Sequence, residues 1–527
     1  MAKTVTAEEL RAMLLDGGEL ALLDVREEGA FSESHLLFAS SLPLSRLEFG
    51  IDALVPRRGT RIVLCDDGGG LAGRAADKLA GFGYADISVL DGGTAGWERA
   101  GNVLFSGVYV PSKAFGEYVE EICHTPNITA PELKARLDAG DDLVVLDSRP
   151  MDEFRRMNIP TAIDVPGAEL AYRVHDIAPS PDTAVVVNCA GRTRSIIGAQ
   201  SLIKAGIPNE VMALRNGTMG WELAGFELER GNERPPPEVS PEGLARGQAC
   251  AARVAASRGI ETVDRDRLET WRGEADRRSL FLLDVRGVDE YEAGHLGGSR
   301  PIPGGQLVQT TDAVIGTRNA RVVLIDDTGV RATMTAAWLV EMGWPEVAVY
   351  RLDPETDGIE TGTWEPAVLG LDEAEARPVG AEALSAGLGD GTMAAIDLGG
   401  SRAYLAGHVP GAAFALRSRL DDALAGLPEA DTVVLISSDG RLARLAAAER
   451  GGKFAYLEGG TEAWIAAGMP LAEGEELMLD STDDVWLRPY DRGGNVAQAM
   501  NAYLEWELQL VQQVEADGTT RFRRFAG

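Results

Sequence analysis

Between residues 185 and 202 the chain runs Val185-Val186-Val187-Asn188-Cys189-Ala190-Gly191-Arg192-Thr193-Arg194-Ser195-Ile196-Ile197-Gly198-Ala199-Gln200-Ser201-Leu202. The opening apolar, β-branched run is too short for a helix, and the closing apolar residues recur at helical spacing. This pattern predicts a buried strand, a tight loop and a helix. In open parallel sheets ligands bind at the carboxyl ends of strands, and a helix starting there aims unsatisfied backbone N–H groups into the loop. Cys189 is the residue so placed.

The same alternation occurs four times. An apolar strand ending in an acidic signature recurs as Leu22-Leu23-Asp24-Val25-Arg26, Val145-Leu146-Asp147-Ser148-Arg149, Leu282-Leu283-Asp284-Val285-Arg286 and Ala395-Ile396-Asp397-Leu398-Gly399. A second apolar strand and loop follow each one, and the spacing from the Asp aligns Cys189 with Cys65, Ile325 and Ile436. A third marker closes three of the copies: Gly92-Gly93-Thr94-Ala95-Gly96-Trp97, Asn216-Gly217-Thr218-Met219-Gly220-Trp221 and Gly459-Gly460-Thr461-Glu462-Ala463-Trp464. In the third copy it is reduced to a region around Leu352-Asp353-Pro354. Such a repeat marks tandem modules, expected at residues 1–104, 127–232, 255–370 and 374–472.

The joins read as linkers around 105–126 and at the proline run Pro235-Pro236-Pro237, with a helix over 240–257. Cys123-His124-Thr125-Pro126 reads as part of the first linker. Residues 473–527 form a tail, in which Asn495 to Val514 carries one apolar face at helix spacing: Val496, Met500, Tyr503, Leu504, Trp506, Leu508, Val511 and Val514. Such a face docks on the chain's own modules or forms a homodimer contact.

Charge and composition narrow the partners. The 527 residues carry a formal charge of −32, which disfavours nucleic acid and anionic membranes. The N-terminal stretch has no apolar core like a signal peptide, and no run approaches a membrane span, so a cytoplasmic protein is expected. The four Cys have neither CxxC spacing nor a His cluster, and no metal site is expected.

A free thiol titrates near ~8.5, and only its thiolate is a good nucleophile. A helix N-terminus lowers that by about one unit, and a nearby cation by ~1–3 units. Arg192 and Arg194 are the cations in place, so the loop is expected to favour a Cys189 thiolate and to hold an anionic substrate. Cys65, followed by Asp66 and Asp67 with no Arg where Arg194 stands, is a poor nucleophile, and the third and fourth loops have no thiol.

The segment around Cys189 resembles the active-site loop of the rhodanese sulfurtransferases. Four residues separate Cys189 from Arg194, as is typical of sulfurtransferases, whereas related phosphatases on this fold place five. Other marks of the family fit: Tyr291, Gly294-His295 and Pro303 in module three; Tyr404, Gly407-His408 and Pro410 in module four; Phe31, His35 and Pro43 in module one; Phe154 and Pro166 in module two. Module two lacks the His, so His35, His295 and His408 are expected to be structural.

The resemblance implies an α/β protein of four tandem rhodanese-like domains, each a small doubly wound, mostly parallel sheet flanked by helices. It implies Cys189 as the nucleophile, with Ala190, Gly191, Arg192, Thr193 and Arg194 around the substrate and no metal or organic cofactor. Arg173 is expected either to bind the donor's sulfonate end, as a cation in this region often does in the family, or to be a solvated surface residue. The expected reaction moves a sulfane sulfur from an anionic donor such as thiosulfate, through a Cys189 persulfide, to cyanide or a thiol. A persulfide carrier serving a protein partner and a 3-mercaptopyruvate sulfurtransferase are the alternatives. By analogy with two-module rhodaneses, module one is expected to wall the donor pocket of module two.

Overall fold

The four acidic-ended runs form the strands Leu20–Asp24, Leu143–Asp147, Leu280–Asp284 and Met393–Asp397 of a computed structural model that describes residues 3–524. Each lies parallel to the apolar strand that follows it: Arg61–Cys65, Ala184–Asn188, Arg321–Asp326 and Thr432–Ile436. Numbering the five parallel strands within each module, all four sheets have the order 1-5-4-2-3. Helices cover both faces, so the central strands are buried along their length and read as continuous apolar runs rather than alternating ones.

The acidic signature is a latch. Asp147 accepts two bonds from Arg149, at 2.8 and 2.7 Å, and the same guanidinium donates to Met157 O at 2.7 Å. Asn188 Nδ2 donates to the other side of Asp147 at 2.8 Å, tying the second strand to the one that carries Cys189. Asp24–Arg26 and Asp284–Arg286 repeat the pair. Module four has Gly399 in place of the Arg, and burial there pushes the Asp397 carboxyl up to about 6.

His35, His295 and His408 are buried and stack on Phe31, Tyr291 and Tyr404 at 4.0, 3.8 and 3.7 Å. Each ring bonds backbone through Nδ1. They are packing residues.

Modules two and three share a seam built on the helices Leu170–Ile177, Thr193–Ala205, Pro241–Arg258 and Val330–Glu341. Its apolar centre includes Ala171, Ala205, Val254, Val330 and Met334, and Glu341 pairs with Lys204 at 2.5 Å and Arg258 at 3.1 Å across it. Modules one and four meet through the buried pair Arg417–Glu48 at 2.8 Å and the bond from Ser418 to Glu27. Thr317–Arg318 of module three adds antiparallel to Leu20-Ala21 in module one's sheet.

One segment differs from expectation. Residues 105–126 are no simple linker, because Val110–Cys123 is a helix whose residues from Val110 to Glu117 are all buried. The tail helix, Val496–Asp517, packs against it. Among the described residues no helix is long and apolar enough to cross a membrane.

Candidate active site

Cys189 follows directly on the strand Ala184–Asn188 and precedes the helix Thr193–Ala205. Strand pairing corrects the alignment drawn from spacing. Asp147 faces Asn188, as Asp24 faces Cys65, Asp284 faces Ile325 and Asp397 faces Ile436. The positions equivalent to Cys189 are therefore Asp66, Asp326 and Ser437, one residue later than expected, and Cys65 is a strand residue pointing into its own core.

Those replacements reveal what the loop is built to hold. Asp66 accepts from the N–H groups of Gly68 and Ala72 at 2.8 and 3.0 Å. Asp326 accepts from Gly329, Arg331 and Ala332 at 2.6, 2.9 and 3.3 Å. In module two the N–H groups of Gly191 and Ser195, equivalent to Gly68 and Ala72 of module one and in the case of Ser195 also to Ala332 of module three, face the Cys189 sulfur instead. The loop is an anion-binding nest that modules one and three fill with their own carboxylates and module two leaves to its sulfur.

The Gly-Thr marker shapes this nest from behind. Thr218 N and Met219 N donate to the carbonyls of Cys189 and Ala190 at 2.8 and 3.0 Å, turning the opposite edge of the loop, with its N–H groups, inward. Gly217 has φ +56°, and a Cβ there would lie 2.2 Å from Cys189 O. Gly217→Ala is expected to cost about 1–3 kcal/mol of stability and to slow Cys189 chemistry; denaturant melts and alkylation rates of the variant check this.

The charges around the thiol are not those the sequence suggested. Cys189 is 2% exposed, and burial, the largest influence, pushes its thiol up. Arg194, the Ser195 hydroxyl at 3.5 Å and the two N–H groups oppose this without overcoming it. The thiolate expected at neutral pH in the free site is thus not favoured, because burial outweighs the nearby positive charge, and both cations are already paired with carboxylates. Arg194 forms a fork with Glu153 at 2.8 and 2.9 Å; although burial works against it, the guanidinium holds that carboxyl at about 2. Arg192 turns to Glu117 at 2.7 Å, to Glu120 and to the Asn216 side chain. It lines the cavity but its charge is committed to the connecting helix.

Ala190, Gly191 and Thr193 also line this cavity of about 190 Å³, with Cys189 in its wall. Arg173 does not. It pairs with Glu169 at 2.8 Å and donates to Pro237 O, and Glu169 in turn binds Arg331 of module three. Arg173 therefore belongs to the seam between modules, and its place as a donor-binding residue is corrected. The wall expected from module one is also corrected. Gln306, Gln309 and Thr310 of module three, Tyr109 and Lys113 of the connecting segment, and Trp486, Arg488, Tyr490, Tyr503 and Glu507 of the tail close the site instead. Of these, Tyr503 alone was singled out in the sequence, as one of the tail's apolar positions; nothing placed it at the thiol.

The rhodanese-like domain model matches residues 6–100, 129–224, 265–353 and 380–467. A solved thiosulfate sulfurtransferase from Pseudomonas aeruginosa is 49% identical, with a TM-score of 0.95 over 99% of this chain and 100% of that one. Another protein of Pseudomonas aeruginosa, also named thiosulfate sulfurtransferase, is 26% identical across 34% of this chain and 80% of its own length. HTH-type transcriptional regulator Rv0324 of Mycobacterium tuberculosis is 34% identical across 20% of this chain, and the match spans 45% of that regulator. With its sheet order repeated four times and each copy matched, the chain belongs to the rhodanese family.

Proposed function

We propose that this protein is a thiosulfate sulfurtransferase whose single working loop is that of Cys189. The observation that carries the reading is the nest itself: it is the same backbone cradle that holds a carboxylate in modules one and three, with a sulfur nucleophile in the carboxylate's place. Thiosulfate's outer sulfur bonds to Cys189 Sγ while its bond to the sulfonate sulfur breaks. That electron pair leaves with sulfite, which carries off the thiol proton as hydrogen sulfite. The persulfide anion left behind is stabilised by the N–H groups of Gly191 and Ser195 and by Arg194. Cyanide or a thiol then takes the outer sulfur.

A thiol 2% exposed in the wall of a cavity of about 190 Å³ suits small donors and acceptors better than a folded partner, which favours turnover over a carrier role. Incubation with thiosulfate should add the mass of one sulfur atom to the Cys189 peptide and release sulfite, and addition of cyanide should then yield thiocyanate catalytically. Absence of the adduct, or loading without turnover, would sink the reading.

Arg194→Ala is expected to slow loading by thiosulfate about 10–100-fold, the worth of a charged hydrogen bond of ~1.5–3 kcal/mol. Because Arg194 favours the thiolate, its removal should also move Cys189 alkylation to higher pH; an unchanged alkylation profile would show that the nest alone sets it.

A further inference from the structure

We infer that Glu507 of the tail helix is the proton acceptor for the second half of the reaction when the acceptor is a thiol, and that the site is accordingly built to favour a neutral thiol over a preformed anion. This rests on Cys189 being the sulfur carrier. Glu507 is 2% exposed. Its Oε1 accepts from the Tyr503 hydroxyl at 2.9 Å, while Oε2 is buried without a hydrogen-bond partner among the described residues. Buried carboxylate oxygens are rarely left so, because each costs its desolvation with nothing returned. This one lies against the Cys loop: a Cβ on Gly191 would sit 3.4 Å from Oε2. Glu507 also lines the same cavity as Cys189.

The groups facing Glu507 leave the oxygen available. From the connecting helix, Glu117 is held by Arg192 at 2.7 Å. Lys113 donates to Val108 O at 2.7 Å inside a cage that includes the Trp486, Tyr503 and Trp506 rings. Arg192 faces it from the loop but is taken by Glu117, Glu120 and Asn216. Arg194 and Cys189 act on its partner Tyr503. Burial, only partly offset by Lys113, pushes the Glu507 carboxyl up to about 7, so carboxylate and acid are both populated near neutral pH, as a proton shuttle requires.

The chemistry balances within the site. An acceptor RSH gives its proton to Glu507 Oε2. Its sulfur bonds to the outer sulfur of the Cys189 persulfide while the Sγ–S bond breaks, and that electron pair leaves on Sγ. The acceptor sulfur is oxidised, Cys189 is reduced and no external oxidant is needed. Glu507 then returns the proton to Cys189, restoring the thiol that burial favours, and RSS⁻ departs. Discharge by sulfite is the loading step reversed: its sulfur already has a free electron pair to attack with, and the proton that hydrogen sulfite brings goes to Cys189 as thiosulfate re-forms, so Glu507 is not needed.

The test loads full-length protein with thiosulfate, removes excess donor, and follows single-turnover discharge by β-mercaptoethanol and by sulfite. In Glu507→Gln the ratio of thiol to sulfite discharge at pH 7 is expected to fall on the order of 100-fold, the usual worth of a general base. Wild-type discharge by the thiol should rise with pH through a limb near 7 that the variant lacks. Glu507→Asp, which keeps a carboxylate, should retain the limb at a reduced rate; if the Gln variant does not fold, the wild-type and Asp profiles decide. Loading with an unchanged ratio, or a wild-type thiol profile without the limb, overturns the role of Glu507 alone. No sulfur on Cys189 overturns the transfer reading and this inference with it.

Discussion

Cys189→Ser is expected to reduce sulfur transfer from thiosulfate to background, while Cys65→Ser, Cys123→Ser and Cys250→Ser keep most of it. All four Cys are free thiols, so the difference lies in their surroundings. Only Cys189 has Gly191 N, Ser195 N and Arg194 directed at its sulfur. Cys65 is fully buried in its module's core, and burial together with Asp24 pushes its thiol well above the ordinary range. Cys250 sits in the packed seam between modules two and three, 3.2 Å from the Arg253 guanidinium and 3.8 Å from His175. Cys123 ends the connecting helix, away from the cavity. Mass spectrometry of each variant after thiosulfate treatment, with thiocyanate production as the rate, checks this. Loss of transfer in a well-folded Cys65→Ser protein would overturn the single-loop account.

Which parts of this site could be read from sequence follows from the range of the interactions involved. The Cys189 loop was legible because strand, loop and helix are contiguous, and each leaves its own local pattern. The module repeat was legible for the same reason. The alignment of Cys65 with Cys189 failed because a one-residue difference in spacing is invisible until strands pair, and a shared residue type encouraged the wrong register. Arg192 and Arg194 look alike as letters. What separates them is that Glu117 and Glu120 come from a helix some seventy residues earlier, whose burial on all sides hides the single apolar face that would have announced it. The tail helix was legible as a helix from its apolar spacing. That Tyr503 and Glu507, one turn apart, reach the thiol depends on where the helix docks, and no local pattern encodes that.

The second large effect concerns how much of the chain the reaction needs. A fragment ending at residue 232 contains modules one and two, the connecting helix and the whole Cys189 loop, and it preserves the Arg192–Glu117 and Arg194–Glu153 pairs. It lacks Gln306, Gln309 and Thr310 and every tail residue of the cavity. It also exposes the apolar seam around Ala171 and Ala205 that module three covers. Opening the cavity lets water screen Arg194 and the loop dipoles, and electrostatic stabilisation of a developing anion is worth far less in water than in a closed site. Easier solvation should lower the Cys189 thiol pKa, so alkylation of the fragment is expected to be faster than in the full chain at the same pH. Turnover with thiosulfate should nevertheless fall by orders of magnitude, because the residues that enclose the donor and accept the acceptor's proton are gone. Unfolding would move both readouts in the same directions, so a cooperative denaturant transition of the fragment is the measurement that assigns them to loss of the wall. A folded fragment that matches the full chain in turnover would mean that modules three and four and the tail serve something other than this site.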